Sequence, residues 1–119
     1  MYSRQVLDHF QNPRNVGEID KPTAVVTAAN PVCGDAMKLW ILVRDGIVFE
    51  ARFKVQGCVP AVACGSWLTE AIKGMPLPDI AAINAEHIET GLGGLPAASR
   101  HASMLAITAL REALDKLVL

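Results

Sequence analysis

The sequence predicts an α+β fold, with strands and helices segregated along the chain. Two alternating apolar runs flank Asp45-Gly46, a run rich in Val, Thr and Ala precedes them, and helical stretches punctuated by Gly and Pro follow. The 119 residues suit one domain, 1–119, and a chain of this size, 51% hydrophobic, can bury a core without help from metals or disulfides.

Ser3–Phe10 reads as a short helix with Ser3 as its cap and Val6, Leu7 and Phe10 on one face; the NPRN run at Asn12–Asn15 stops it. Ala24–Ala29 reads as a strand. Next, Met37, Leu39, Ile41 and Val43 alternate, as do Ile47, Phe49, Ala51, Phe53 and Val55, and Asp45-Gly46 between the two runs marks a hairpin. A two-residue loop would pair Arg44 with Ile47 and Ile41 with Glu50, setting the two apolar faces on opposite sides of the sheet. A three-residue loop, Arg44-Asp45-Gly46, makes them coincide by pairing Val43 with Ile47, Ile41 with Phe49, Leu39 with Ala51 and Met37 with Phe53, and it is the expected one. A helix follows, with Pro60 in its first turn and Gly74 ending it. Pro76–Thr90 reads as one or two short helices, and Gly91–Pro96 as a connector. The last element is a long helix capped by Ser99, with Ile107, Leu110, Leu114 and Leu117 as its apolar stripe. Arg111 and Asp115, like Glu112 and Lys116, lie four apart on its wet side.

Composition excludes several classes. Eleven basic residues against 12 acidic ones, with the basic ones scattered, give no footprint for nucleic acid. Val55–Thr69, the longest charge-free stretch near the middle, is too short and too broken by Gly and Pro to span a membrane, which takes roughly 20 apolar residues. The N-terminal run lacks signal-peptide character, so a cytoplasmic location is expected. Three cysteines, an odd number, then argue against a disulfide framework. GLGGLP lacks the features of a phosphate loop.

The chemistry concentrates in the cysteines. Extending the expected hairpin register outward sets Asp35 level with Val55 and Cys33 level with Gly57, with Cys58 next. Paired strands lie about 5 Å apart, so Cys33 and Cys58 converge at one open end, close enough to share a metal, and Asp35 joins them there. Cys58 directly precedes a helix, whose positive end favours the thiolate. Gly34 and Gly57 remove side chains that would crowd the two thiols. Free cysteine is among the most buried residue types, and Cys64, in the Ala-rich run AVACGS, reads as core. His101, in the first turn of the last helix, sits where an imidazolium is disfavoured and a neutral ring can ligate; an exposed histidine without a role would look the same. His9 and His87 read as surface residues.

YSRQVLDHFQNPRNVG at Tyr2–Gly17, NPVCGDAMKL at Asn30–Leu39, ARFKVQGC at Ala51–Cys58 and LPAASRHAS at Leu95–Ser103 together resemble the IscU/NifU N-terminal type of iron–sulfur scaffold protein, in order and over nearly the whole chain. The resemblance implies a three-stranded antiparallel sheet with helices packed on one face. It implies a platform on which iron and sulfur become a 2Fe–2S cluster for recipient apoproteins, with sulfur delivered as persulfide by a cysteine desulfurase. Three cysteines hold the cluster in that family and an aspartate tunes its release. Cys33 matches the first cysteine, Asp35 the aspartate, Cys58 the second cysteine, and His101 the histidine ahead of the third.

The chain departs from the family at that third cysteine, where it has Ala102, which can neither ligate iron nor accept sulfur. It departs again at the family's chaperone-recognition run, Leu-Pro-Pro-Val-Lys, which reads Leu95-Pro96-Ala97-Ala98-Ser99; the resemblance therefore does not carry over a dedicated Hsp70 partner. Cys64, one turn (about 5.4 Å of rise) into its helix, is an alternative source of the missing thiolate. Three functions follow as expectations. The first is a scaffold, not an enzyme, with iron or a 2Fe–2S cluster at Cys33, Asp35, Cys58 and His101, a site that also suits zinc. The second is a zinc-masked persulfide relay, sulfurtransferase-like, through Cys58. The third is a degenerate paralogue that only binds partners.

Overall fold

The computed structural model describes residues 1–31 and 34–117. Its elements run α1 (Arg4–Gln11), β1 (Ala24–Ala29), β2 (Ala36–Arg44), β3 (Ile47–Gln56), α2 (Val59–Ile72), α3 (Leu77–Ala81), α4 (Ala85–Gly91), a 3-10 turn (Ala97–Ser99) and α5 (Arg100–Leu117). The strands form one antiparallel sheet in the order β1-β2-β3. α5 packs on β1 and β2, α2 packs on β3 and on α5, and α1 packs on α2. Val26, Ala28, Met37, Leu39, Ile41, Ala51 and Phe53 are buried in the core they share with α2 and α5. Among the described residues no helix is long and apolar enough to cross a membrane.

The hairpin differs from its expected form. The loop is the two-residue one, Asp45-Gly46, with Arg44 opposite Ile47 and positive φ at both loop residues, 54° and 74°. That is the turn whose twist suits a hairpin, and Asp-Gly is a preferred pair for it. The mismatch of faces that this loop creates is removed by a β-bulge. Val43 pairs with Val48 but Leu42 pairs with Glu50, so Phe49 is an extra residue. Beyond the bulge Ala51 and Phe53 return to the buried face, paired with Ile41 and Leu39. Before it the pattern fails: Ile47 and Phe49, expected in the core, are exposed, Phe49 by 55%. Arg44 covers the Phe49 ring, 4.0 Å from its centre.

Ser3 caps α1 as expected, its Oγ accepting the Val6 amide at 3.0 Å. The buried face of α1 is another one, however. Leu7 and Phe10 are exposed, while His9, expected at the surface, is buried. Its Nδ1 lies 2.7 Å from Ser66 Oγ, which also accepts the Arg14 amide at 2.9 Å. Burial holds His9 below the ordinary imidazole range. His87 is exposed as expected and completes a capping box with Asn84 at the start of α4. The α5 stripe is buried as expected at Ile107, Leu110 and Leu114. Ser99 belongs to the 3-10 turn that leads into α5. Arg111 donates to the Ala81 and Ile83 carbonyls at 2.7 and 2.8 Å and Lys116 to the Val25 carbonyl at 2.8 Å, so both cations tie α5 to neighbouring segments.

Candidate metal centre

Three elements meet at the open end of the hairpin. Asp35 directly precedes β2, Cys58 is the N-cap residue of α2, and His101 lies in the first turn of α5. Sequence reasoning placed Asp35 level with Val55; the observed register, with Ala36 opposite Gln56, carries it two residues further, beside Gly57. A Cβ on Gly57 would fall 2.7 Å from both Cγ and Oδ1 of Asp35. Glycine is needed there to admit the carboxylate. Gly34 is explained differently: nothing lies within 4 Å of a Cβ built on it, but its φ of +75° is one that L side chains rarely adopt. Two backbone bonds, Gly34 N–H to the Asn30 carbonyl and Asn30 N–H to the Asp35 carbonyl, both 2.8 Å, close this corner.

Cys58 Sγ lies 3.1 Å from Asp35 Oδ2 and 3.6 Å from His101 Nε2, and His101 Nε2 lies 3.5 Å from Asp35 Oδ2. One ligand atom from each residue falls within 4.8 Å of the others. Asp35 is buried, while Cys58 and His101 are half-buried, so the group is a shallow site with a protected floor. The far nitrogen of the imidazole, Nδ1, is 3.1 Å from the Ala98 carbonyl. A carbonyl only accepts, so Nδ1 carries a proton, and in the neutral ring the Nε2 lone pair faces Cys58 and Asp35. Fixing the tautomer through the second nitrogen is what metal-ligating histidines do. The Ala97–Ser99 turn supplies this carbonyl.

The thiolate expectation for Cys58 is overturned. Burial and then the hydrogen bond to the Asp35 carboxylate push its pKa up, against a smaller opposing effect of the Ala61 amide. The thiol rests protonated and donates to Asp35. A divalent cation bound here would displace that proton and convert the contact into two ligands of one ion.

Cys33 lies outside the described residues, and so does its expected alignment with Gly57. Cys64 is described, and it sits in the core, not in the group of three. It is fully buried on α2, and burial, followed by the charges of Cys58 and Glu89, pushes its pKa up to about 12. This has a consequence for stability. The unfolded chain releases that proton near the ordinary value of about 8.5, the folded chain only near 12, so between those values the unfolded state binds fewer protons. Stability is therefore complete below about pH 8.5 and falls by up to about 1.4 kcal/mol per pH unit above it. In denaturant titrations across this range, Cys64→Ala is expected to flatten the alkaline decline; an unchanged decline would assign it to other groups.

Glu89 is one feature that the sequence did not disclose. Ser103 Oγ donates to Glu89 Oε2 at 2.8 Å, and Arg100 Nε lies 3.7 Å from Oε1. These bonds join α4 to the turn of α5 that carries His101. Glu89 and Ser103 are fourteen apart with no shared motif, so no spacing rule flags them.

Residues 1–118 match the family described as the NifU-like N terminal domain. The chain is 45% identical over 114 residues to the iron-sulfur cluster assembly scaffold protein IscU 1 of Archaeoglobus fulgidus, covering 96% of this chain and 74% of that protein. It is 44% identical over 117 residues to the iron-sulfur cluster assembly scaffold protein IscU of Escherichia coli K12, covering 95% of this chain and 91% of that one. Among solved structures, the N-terminal NifU-like protein of Brucella abortus has the same fold, with a TM-score of 0.79 at 20% identity over 97% of this chain and 92% of that chain.

Proposed function

From the chain's membership of the NifU-like N-terminal domain family, we propose that it is a scaffold of iron–sulfur cluster assembly: one domain that binds iron and sulfur as cargo and releases a cluster, without catalysing a turnover of its own. The observation that carries the reading is the S, N and O donor set of Cys58, His101 and Asp35 within 4.8 Å. A thiolate, an imidazole nitrogen and a carboxylate oxygen suit iron as well as tetrahedral zinc. Cys33, two residues before Asp35 in sequence, is proposed as the second thiolate. Cys64 is left out of the ligand set because its thiol lies in the core and is not among the ligand atoms that fall within 4.8 Å of one another. The proposed partners are a cysteine desulfurase that supplies persulfide and apoproteins that receive the cluster. The proposed compartment is the cytoplasm.

Anaerobic reconstitution with iron, cysteine and a desulfurase tests this reading. A chain that develops 2Fe–2S absorption acts as a scaffold. A persulfide on Cys58 with no cluster would overturn that in favour of a relay. Ala102 supplies the sharper test. Ala102→Cys is expected to increase the cluster retained per chain after desalting. It should also lower stability by about 1–3 kcal/mol, because the added sulfur enters a fully buried position. Equal retention in both proteins would mean that the site does not need a third cysteine.

A further inference from the structure

A groove of about 540 Å³ opens between α2, α3 and α4, away from the metal centre. Trp67, Ala71, Met75 and Ile83 give it an apolar floor, and the carboxylates of Asp79 and Glu86 stand on its rim. The floor is a built one: a Cβ on Gly91 would fall 2.2 Å from Trp67 Nε1, so the indole packs against the end of α4 only because that residue is glycine.

Carboxylates predominate in the segments that form it, while the Arg111 guanidinium of α5 is held beside it on the Ala81 and Ile83 carbonyls. Between Gly74 and Ser99 the chain has Asp79, Glu86 and Glu89 and no Lys or Arg. Glu89 is engaged by Arg100 and Ser103. Asp79 and Glu86 have no ion-pair partner among the described residues. His87, also on the groove, accepts the Asn84 amide through Nδ1 at 3.0 Å.

We propose that this groove docks a basic, apolar-anchored segment of a partner protein. One large aliphatic or aromatic side chain seats against Trp67 and Met75, and Lys or Arg residues flanking it meet Asp79 and Glu86. A cavity in the range of about 300–1,000 Å³ accommodates such an anchor. An aromatic floor with two unpaired carboxylates at its rim is an arrangement that gives an interface both a hot spot and a preferred partner charge. Trp67 lies nine residues beyond Cys58 on α2, about 13 Å along the helix axis, so a segment seated here leaves the metal centre accessible. The proposal does not depend on which ion or cluster that centre takes.

The probe is a synthetic amphipathic helix of Leu and Lys, titrated into isotope-labelled chain while backbone amide shifts are followed residue by residue. Saturable shifts confined to the groove-lining segments of α2, α3 and α4 are expected. The Asp79→Asn, Glu86→Gln double variant should weaken binding at least about tenfold, or 1.4 kcal/mol. Ala82→Phe, a substitution at an exposed rim position, should abolish it while leaving the spectrum of the free chain folded. A twin peptide with Glu in place of Lys that binds equally well would overturn the proposal. So would shifts centred on Asp35, Cys58 and His101, or an affinity that neither variant changes. Self-association of the chain that Ala82→Phe abolishes would assign the groove to a second copy and overturn it as well.

Discussion

Replacing Cys58 with serine is expected to lower zinc or ferrous iron affinity by more than about 100-fold, since losing even a partner that only orients a ligand costs about 10–100-fold. The same substitution is expected to leave the metal-free chain as stable as before or slightly more so. Cys58 is the N-cap of α2, and its side chain makes no capping hydrogen bond. Serine is among the best N-cap residues, and a well-formed cap contributes on the order of 1 kcal/mol. The position thus holds a residue that helix capping alone would not select, at the point where a sulfur meets Asp35 at 3.1 Å and His101 at 3.6 Å. A conflict between local preference and the residue present is where function is expected in a fold that is otherwise consistent. Metal per chain and thermal unfolding of the metal-free protein check both halves. Cys64→Ser serves as the control that should retain metal. Retained metal in Cys58→Ser would remove Cys58 from the ligand set, and a marked loss of stability would mean that the cysteine is structural.

Gly65→Ala is expected to destabilise the fold by about 1–3 kcal/mol, the cost of overpacking a tight core. Local propensity predicts the opposite sign, because glycine inside a helix is worse than alanine by roughly 0.5–1 kcal/mol. The structure decides between them. A Cβ on Gly65 would fall 2.5 Å from Cδ2 and 2.6 Å from Cε2 of Phe53, a ring that is fully buried. Relief requires α2 to lift from β3, and those two elements also bring Cys58 and Gly57 up to Asp35. Denaturant unfolding measures the effect, and Phe53→Leu in the Gly65→Ala background should cost less than Phe53→Leu alone. Additive effects would show that the ring and the helix are not in the contact described.

The local signals held where they are local. The bounds of β1 at Ala24–Ala29, the Ser3 cap, the helix start beyond Cys58 and the two short helices match the expectations, the second of them running one residue further, through Gly91. The hairpin shows how a correct constraint can lead to a wrong register. The requirement that both apolar faces coincide was right, yet a longer loop and a shorter loop with a bulge both satisfy it. The two differ by two residues, which leaves every side chain on the same face but moves Asp35 from Val55 to Gly57. The alternation at Ile47 and Phe49 looked the same as that at Ala51 and Phe53, and only the bulge distinguishes them. His9 was misplaced because a lone histidine on a helix shows nothing of a serine fifty-seven residues away.

What the sequence by itself determined is the set of elements, their order, the shared buried face of the hairpin and the presence of Asp35 and Cys58 near one end of it. These follow from side-chain periodicity and turn chemistry, which act over a few residues. Only the tertiary structure decided that Cys58 rests as a protonated thiol against Asp35, that His101 turns its Nε2 inward because Ala98 holds Nδ1, and that Cys64 belongs to the core. Desolvation and hydrogen-bond partnership depend on which distant segments close over a group, and no window of neighbouring residues contains that information.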